Sequence, residues 1–265
     1  MKNIVLFVLI LACFIGSDAE AQRRRFGRYS LVDGFSITAK GGMNIAMVEL
    51  NEKNTSWVTG IAINKGISEF FNVRLELETG VLKGQKVDYY NSRFRTDFYQ
   101  INLMPILNLG RIIFDESPVN LGVYAGIGTI RFNAAAYDIP TGRLQRVTSD
   151  DYSRHTTTFV KVGTGQGDDG IYYTKERTIP MGILLSMPLG ESLNVGLDFR
   201  YNWVRTDKLD ATSGLDTSAM YNNNGINLLW GNKTYSDTPN DKWSSVSVTL
   251  TYKFASQFSK FQRGV

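Results

Sequence analysis

An all-β fold, an eight-stranded antiparallel transmembrane β-barrel with short periplasmic turns and long extracellular loops, is what this sequence predicts. Two observations carry most of the weight. Stretches that alternate apolar and polar residues with period two recur at eight places. The connections between them are by turns short and long. A third observation removes the rival: past the first residues no segment reaches the eighteen or so continuous apolar positions of a membrane helix.

The start of the chain fits export. Lys2 supplies a short positive region, Ile4 to Ile15 an apolar run, and Ala19-Glu20-Ala21 a small-x-small cleavage site. Residues 1–21 are therefore expected to leave as a signal peptide, with 22–34 a periplasmic N-terminal tail. Ile10-Leu11-Ala12-Cys13 loosely fits a lipid-attachment box, but the apolar run continues through Phe14 and Ile15, so lipidation is the weaker reading. Cys13 is the single cysteine, so the mature chain is expected to have no disulfide framework and to rely on its strand ladders. Losing Lys2, Asp18 and Glu20 leaves twenty-eight basic and twenty-three acidic side chains, a formal +5. Much of that charge sits in Gln22-Arg23-Arg24-Arg25, a solvated tail able to meet lipid phosphates; nothing points to a nucleic-acid partner.

The expected strands lie near 35–47, 57–65, 72–83, 96–108, 118–132, 177–188, 193–206 and 243–254. Side chains on a strand point to opposite faces in turn. In the third, Val73, Leu75, Leu77, Thr79 and Val81 oppose Arg74, Glu76, Glu78 and Gly80. In the seventh, Leu193, Val195, Leu197, Phe199, Tyr201 and Trp203 oppose Asn194, Gly196, Asp198, Arg200 and Asn202. The last is the cleanest: Val246, Val248, Leu250, Tyr252 and Phe254 share one face, and Ser245, Ser247, Thr249, Thr251 and Lys253 the other. Most of these strands are ten residues or longer, against the usual five or six of globular sheets and the 9–11 a tilted membrane strand needs. The short connections are 66–71, 109–117 and 189–192; the long ones are 48–56, 84–95, 133–176 and 207–242. That parity is what a barrel with both termini on the periplasmic side requires, whereas a soluble sandwich predicts none. Trp57, Phe98, Tyr99, Phe199, Tyr201, Trp203, Trp243, Tyr252 and Phe254 gather towards strand ends, where membrane interfaces favour aromatic rings. The apolar faces are therefore expected to meet lipid and the polar faces to line the lumen, with 35–254 forming the barrel and 255–265 a C-terminal tail.

Three pieces of sequence resemble the small outer-membrane barrels related to the OmpA membrane domain, the "porin family" type common in the Gram-negative Bacteroidetes. They are Gly122-Val123-Tyr124-Ala125-Gly126-Ile127-Gly128, Thr206-Asp207-Lys208-Leu209-Asp210-Ala211-Thr212-Ser213-Gly214, and the closing Thr249-Leu250-Thr251-Tyr252-Lys253-Phe254. The resemblance implies a bacterial outer-membrane location and a cell-envelope role. Many relatives continue into a peptidoglycan-binding domain; with Ala255 to Val265 following the last strand, none is expected here.

The lumen-facing set is expected to hold a charge network of Lys40, Arg74, Glu76, Glu78, Asp198, Arg200 and Lys253. Eight strands enclose just enough room for side chains, so these charges read as a structural plug of ion pairs in preference to a gate or proton path. The strand glycines Gly122, Gly126 and Gly128 precede no helix and so are no phosphate loop; they read as space for the inward Tyr124 and Phe132. Gly163 to Gly170 lacks a phosphate-binding Lys and reads as a loop tip. Asp207, Asp210 and Asp216 do not have the spacing of a calcium loop and read as solvated loop residues. No metal set, catalytic set or cofactor is expected.

Three function classes follow. The first is a non-enzymatic structural or interaction protein of the envelope, in contact with outer-membrane lipid and docking a protein partner through its extracellular loops or N-terminal tail. Phe159, Tyr172, Tyr173, Tyr221, Leu229 and Trp230 are the docking candidates, on two loops expected to pack on each other, the first with a hairpin from the strand-like runs 156–162 and 170–175. The second is a narrow channel for ions or small solutes through the charged interior. The third is an enzyme at the rim using His155, the single histidine, beside Asp150, Asp151 and Ser153.

Overall fold

The computed structural model describes residues 35–48, 50, 52–68, 70–87, 91–110, 119–148, 160–161, 174–211 and 240–254. Its strands are β1 (Phe35–Met47), β2 (Glu52–Gly66), β3 (Phe71–Lys86), β4 (Ser92–Asn108), β5 (Asn120–Ala125), β6 (Ile127–Asp138), β7 (Leu144–Val147), β8 (Val160–Lys161), β9 (Thr174–Pro188), β10 (Leu193–Val204) and β11 (Lys242–Lys253). β5 and β6 are one wall. Both pair with β4 and β9 in a single register, and between them the Gly126 amide still donates to the Pro180 carbonyl at 2.8 Å. Eight antiparallel walls result, each hydrogen-bonded to the next, and β11 closes the ring on β1. β7 and β8 lie outside the ring and extend the sheet beyond β6.

The stagger of the barrel can be read from the ladder. Starting at Ile37, the cross-strand partners run Ile63, Leu75, Leu103, Ile127. The ladder that holds Ala125 opposite Met181 and Gly128 opposite Thr178 carries the path to Ile179. Trp203, Lys242 and Met47 complete the circuit, so it returns to β1 ten residues beyond its start. A shear of that size in eight strands tilts them by about 40° to the axis.

Several strands are longer than the alternation predicts, mainly on the side away from the termini. β2 begins at Glu52, β4 at Ser92 and β9 at Thr174, and β6 runs to Asp138. The expected long connections at 48–56 and 84–95 are thus mostly strand. The cause is chemical. Glu52-Lys53-Asn54-Thr55-Ser56 has no apolar face and reads as loop, but a strand that stands clear of lipid needs none. Beyond β6 the chain turns at 139–143 and returns as β7, so the strand-forming part of that connection begins earlier than the expected hairpin; only Val160–Lys161 of its first run is strand among the described residues.

β4 displays the plan in one element, alternating buried and exposed over nearly all of its seventeen residues. In its lower part Tyr99, Ile101, Leu103 and Leu107 point out, while Gln100, Asn102 and Asn108 point in with Met104 and Ile106. In its upper part the chemistry inverts: Arg93, Arg95 and Asp97 point out, and Phe94 and Phe98 point in. Tyr99 marks the changeover. From there to Leu107, eight steps of about 3.3 Å at a tilt of about 40° rise about 20 Å, close to the usual outer apolar band. β11 agrees, with Val246, Val248, Leu250 and Tyr252 exposed and Ser245, Ser247 and Thr249 buried.

Candidate functional site: a filled lumen

The inward face of the walls converges on a charged layer at mid-height. Lys40 on β1 faces Gly60 on β2, which faces Glu78 on β3. A Cβ at Gly60 would lie 3.1 Å from the Lys40 Cε, so the glycine leaves the path along which the lysine reaches its ion partner Glu78. The Lys40 Nζ also donates to Glu76 Oε1 at 3.0 Å and lies 3.8 Å from Asp198 Oδ2. From the other side Arg200 on β10 pairs with Glu76, with Glu78 at 2.9 Å and with Asp198 at 3.0 Å. β10 and β3 stand four walls apart in either direction round the ring, so this guanidinium crosses the whole lumen. Three cations, Lys40, Arg74 and Arg200, thus meet three carboxylates, Glu76, Glu78 and Asp198, and all six are buried.

Neutral groups complete the layer. Tyr124 donates its hydroxyl to Asp198 and accepts from Arg200 Nε at 3.0 Å, while the guanidinium lies 5.4 Å from its ring centre. Gln100 donates to Glu78 at 2.7 Å, and Arg74 Nε donates to Asn64 Oδ1 at 2.6 Å. Room for Tyr124 comes from Gly182, directly opposite on β9, where a Cβ would sit 2.6 Å from the phenol oxygen. This corrects the expected use of Gly122, Gly126 and Gly128. Those glycines accommodate Ile106, Met104 and Asn102 of β4.

An apolar layer covers the charges on the side of the long loops. Leu50, Val58, Leu82, Phe94, Phe98, Ile130, Phe132 and Trp243 are buried there, with Phe98 and Trp243 packed at 5.4 Å between ring centres. Phe98 and Trp243 are therefore core residues, not members of the outer aromatic girdle expected from their places near strand ends. The segment 206–211, leaving β10, folds into the mouth and is buried throughout. Asp210 Oδ2 accepts the Leu50 amide at 3.1 Å, Asp241 Oδ2 accepts the Leu209 amide at 2.7 Å, and the Thr96 hydroxyl donates to the Leu209 carbonyl. Asp207 and Asp210 are thus buried residues of a stopper, not the solvated loop residues expected. On the periplasmic side Met104, Ile106 and Tyr124 form a smaller cluster with Leu184.

Of the charges expected in the lumen, Lys40, Arg74, Glu76, Glu78, Asp198 and Arg200 come together. Lys253 does not: it ends β11 opposite Ser36 at the periplasmic rim and is exposed, because the alternation points it inward only where the barrel has already opened to water. Phe159, Tyr172, Tyr173, Tyr221, Leu229, Trp230, His155 and Asp216 lie outside the described residues, as do Arg23–Arg25. The alternation alone could not single out Tyr124, Gln100, Asp210, Asp241, Leu209 and Trp243. The buried turn was present as Thr206-Asp207-Lys208-Leu209-Asp210, but acidic residues beside Ser and Thr after a strand look like open loop until their acceptors are placed.

A closed barrel with an apolar outer band and a polar, ion-paired centre defines an integral protein of the bacterial outer membrane. No family model matches the sequence, and no curated protein sequence matches it. Among solved structures the chain is similar to Neisserial surface protein A, at 13% identity and a TM-score of 0.42, over 83% of this chain and 97% of that one. It is also similar to Ail, the attachment invasion locus protein of Yersinia pestis, solved with the heparin analogue sucrose octasulfate, at 10% identity and a TM-score of 0.42, over 84% and 99%. A major outer membrane protein of Thermus thermophilus gives 10% and 0.42, over 83% and 100%.

Proposed function

We propose that this protein is a non-enzymatic barrel of the cell envelope that acts as a structural or interaction protein and not as a diffusion pore. The supporting observation is the Arg200 bridge to Glu76 and Glu78 across the lumen, capped by the apolar layer around Leu82, Phe132 and Trp243. An ion entering from outside would have to shed water in the apolar layer and then displace a paired charge, and each step is costly. A narrow ion path is therefore the weaker reading. Kinship with the OmpA-membrane-domain-like barrels of Bacteroidetes belongs to this proposal and rests on the three sequence pieces quoted above.

Partner contact then falls to surfaces outside the lumen. Planar-bilayer recording combined with in-cell cross-linking tests the whole reading. The expected result is no steady large conductance and recovery of an envelope partner that is lost when residues 162–170 are deleted while the barrel still inserts. Steady conductance would overturn the closed-lumen reading. Partner capture unchanged by the deletion would move the docking surface off that loop.

A further inference from the structure

The outer wall carries a feature that neither the lumen nor the loops account for. On three neighbouring walls the lipid-facing side changes from apolar to cationic at one edge. Going up β9, Ile183, Met181 and Ile179 give way to Arg177 and Lys175; on β6, Ile127 and Thr129 give way to Arg131; past β10, Trp203 gives way to Arg205. The ladder brings these cations side by side. Arg131 stands opposite Lys175, and the Arg205 amide donates to the Arg177 carbonyl at 3.1 Å, which sets those two arginines opposite each other. All four are exposed.

Directly opposed like charges destabilise a sheet, so the Arg177–Arg205 pair favours an anion that bridges the two guanidinium groups. Arg131 leans over the Tyr99 ring at 5.9 Å, at the changeover from apolar to charged exterior, which is the level of lipid headgroups. Below the cations runs an open groove floored by Ile101, Ile127 and Ile179, with the short Thr129 between Ile101 and Arg177. The described residues lining this groove include all four cations and no carboxylate. Asp97, two residues above Tyr99 on β4, is engaged by Arg95 at 2.9 Å. The feature thus has two parts in fixed order, an apolar slot within the bilayer and a multiply cationic clamp at its surface.

We propose that this groove is a binding site for one phosphate-bearing lipid of the outer leaflet, its phosphates held by Arg131, Lys175, Arg177 and Arg205 and an acyl chain lying over Ile127 and Ile179. Guanidinium groups grip phosphate in bidentate fashion, and four cations match a headgroup with more than one phosphate. A free phosphate would leave the slot unfilled. A second copy docking through the same face would set cations against cations.

Native mass spectrometry of the full-length protein folded in detergent tests the site with three probes. They are an acylated glucosamine disaccharide bearing two phosphates, the same lipid without phosphates, and inorganic phosphate. The protein is expected to retain one phosphorylated lipid with about tenfold preference over the dephosphorylated form. Lys175→Gln/Arg177→Gln/Arg205→Gln should abolish that preference while keeping heat-modifiable migration, and Arg205→Gln alone, beyond the end of β10, should weaken it. Thr129→Trp should reduce retention by filling the slot with the charges intact. Equal retention of both lipids, an unaltered preference in the triple and single variants, or displacement of the lipid by excess inorganic phosphate would each overturn the proposal.

Discussion

Arg200 and Glu76 join two walls that stand on opposite sides of the barrel, the Arg200 Nη2 donating to Glu76 Oε2 at 3.0 Å. One side-chain pair thus ties β10 to β3, which no backbone hydrogen bond connects. The pair sits among six buried charges whose signs balance, with Lys40 and Glu78 bridging over Gly60 beside it. A buried charge is tolerated only while its partners remain, so the layer behaves as a unit.

The first prediction tests that unit. Arg200→Met leaves three buried carboxylates facing two cations and should lower stability by about 3–5 kcal/mol. Urea titration of folding into vesicles measures it. Adding Glu78→Gln restores the balance of charge and should recover part of the loss. A double variant no more stable than Arg200→Met would mean that the network's value lies in packing instead of charge balance.

How far the sequence discloses this arrangement depends on where along a strand one looks. Within the bilayer the alternation of Ile101, Leu103 and Leu107 against Gln100, Asn102 and Asn108 is read directly, because lipid outside and water-derived polarity inside impose opposite chemistry on the two faces. Above the bilayer the outside is water and the inside is a core, as Arg93 and Phe94 show, so the same period carries the opposite meaning. Phe98 and Trp243 fall near that inversion, and their neighbours in sequence do not reveal which rule applies. The polar start of β2 fails for a related reason: Glu52 and Asn54 pair in the ladder without an apolar face. The stopper was legible only as residues, since a turn held by Asp210 and Asp241 depends on contacts over 160 and 32 positions of sequence.

The second prediction concerns sealing. Trp243→Ala removes the largest fully buried side chain of the upper layer and should cost about 3–5 kcal/mol. It should nevertheless leave the protein non-conducting, because the ion-paired layer lies beneath. Planar-bilayer recordings of the variant check this. Steady current in Trp243→Ala alone would show that the apolar layer is the sole barrier.

The third prediction concerns the stopper. Asp210→Ala and Asp241→Ala each strip a buried backbone amide of its acceptor, a loss of about 1–3 kcal/mol apiece. The combined variant should release the segment 206–211 from the mouth while the walls stay intact. Limited proteolysis from outside should then cut near Lys208, which is fully buried in the native protein, with heat-modifiable migration unchanged. Protection equal to wild type would place the tie-down on other contacts, such as the Thr96 hydroxyl bond to the Leu209 carbonyl.

The fourth prediction separates outer wall from lumen by the tryptophans themselves. Trp57 is 52% exposed on the outer face of β2, where its ring should meet acyl chains near the interface. Trp243 lies on β11 with its side chain fully buried against Phe98 inside the barrel. Variants in which Trp57 or Trp243 is the single one kept of the four tryptophans, folded into vesicles with brominated acyl chains, report which side each ring occupies, since bromine quenches only on close approach. Trp57 should be strongly quenched and blue-shifted by lipid. Trp243 should be blue-shifted by burial yet nearly unaffected by bromine at any chain depth. Strong quenching of Trp243 would turn the β11 alternation inside out, and because one step of register exchanges every side chain between faces, it would expel Ser245, Ser247 and Thr249 from the lumen as well.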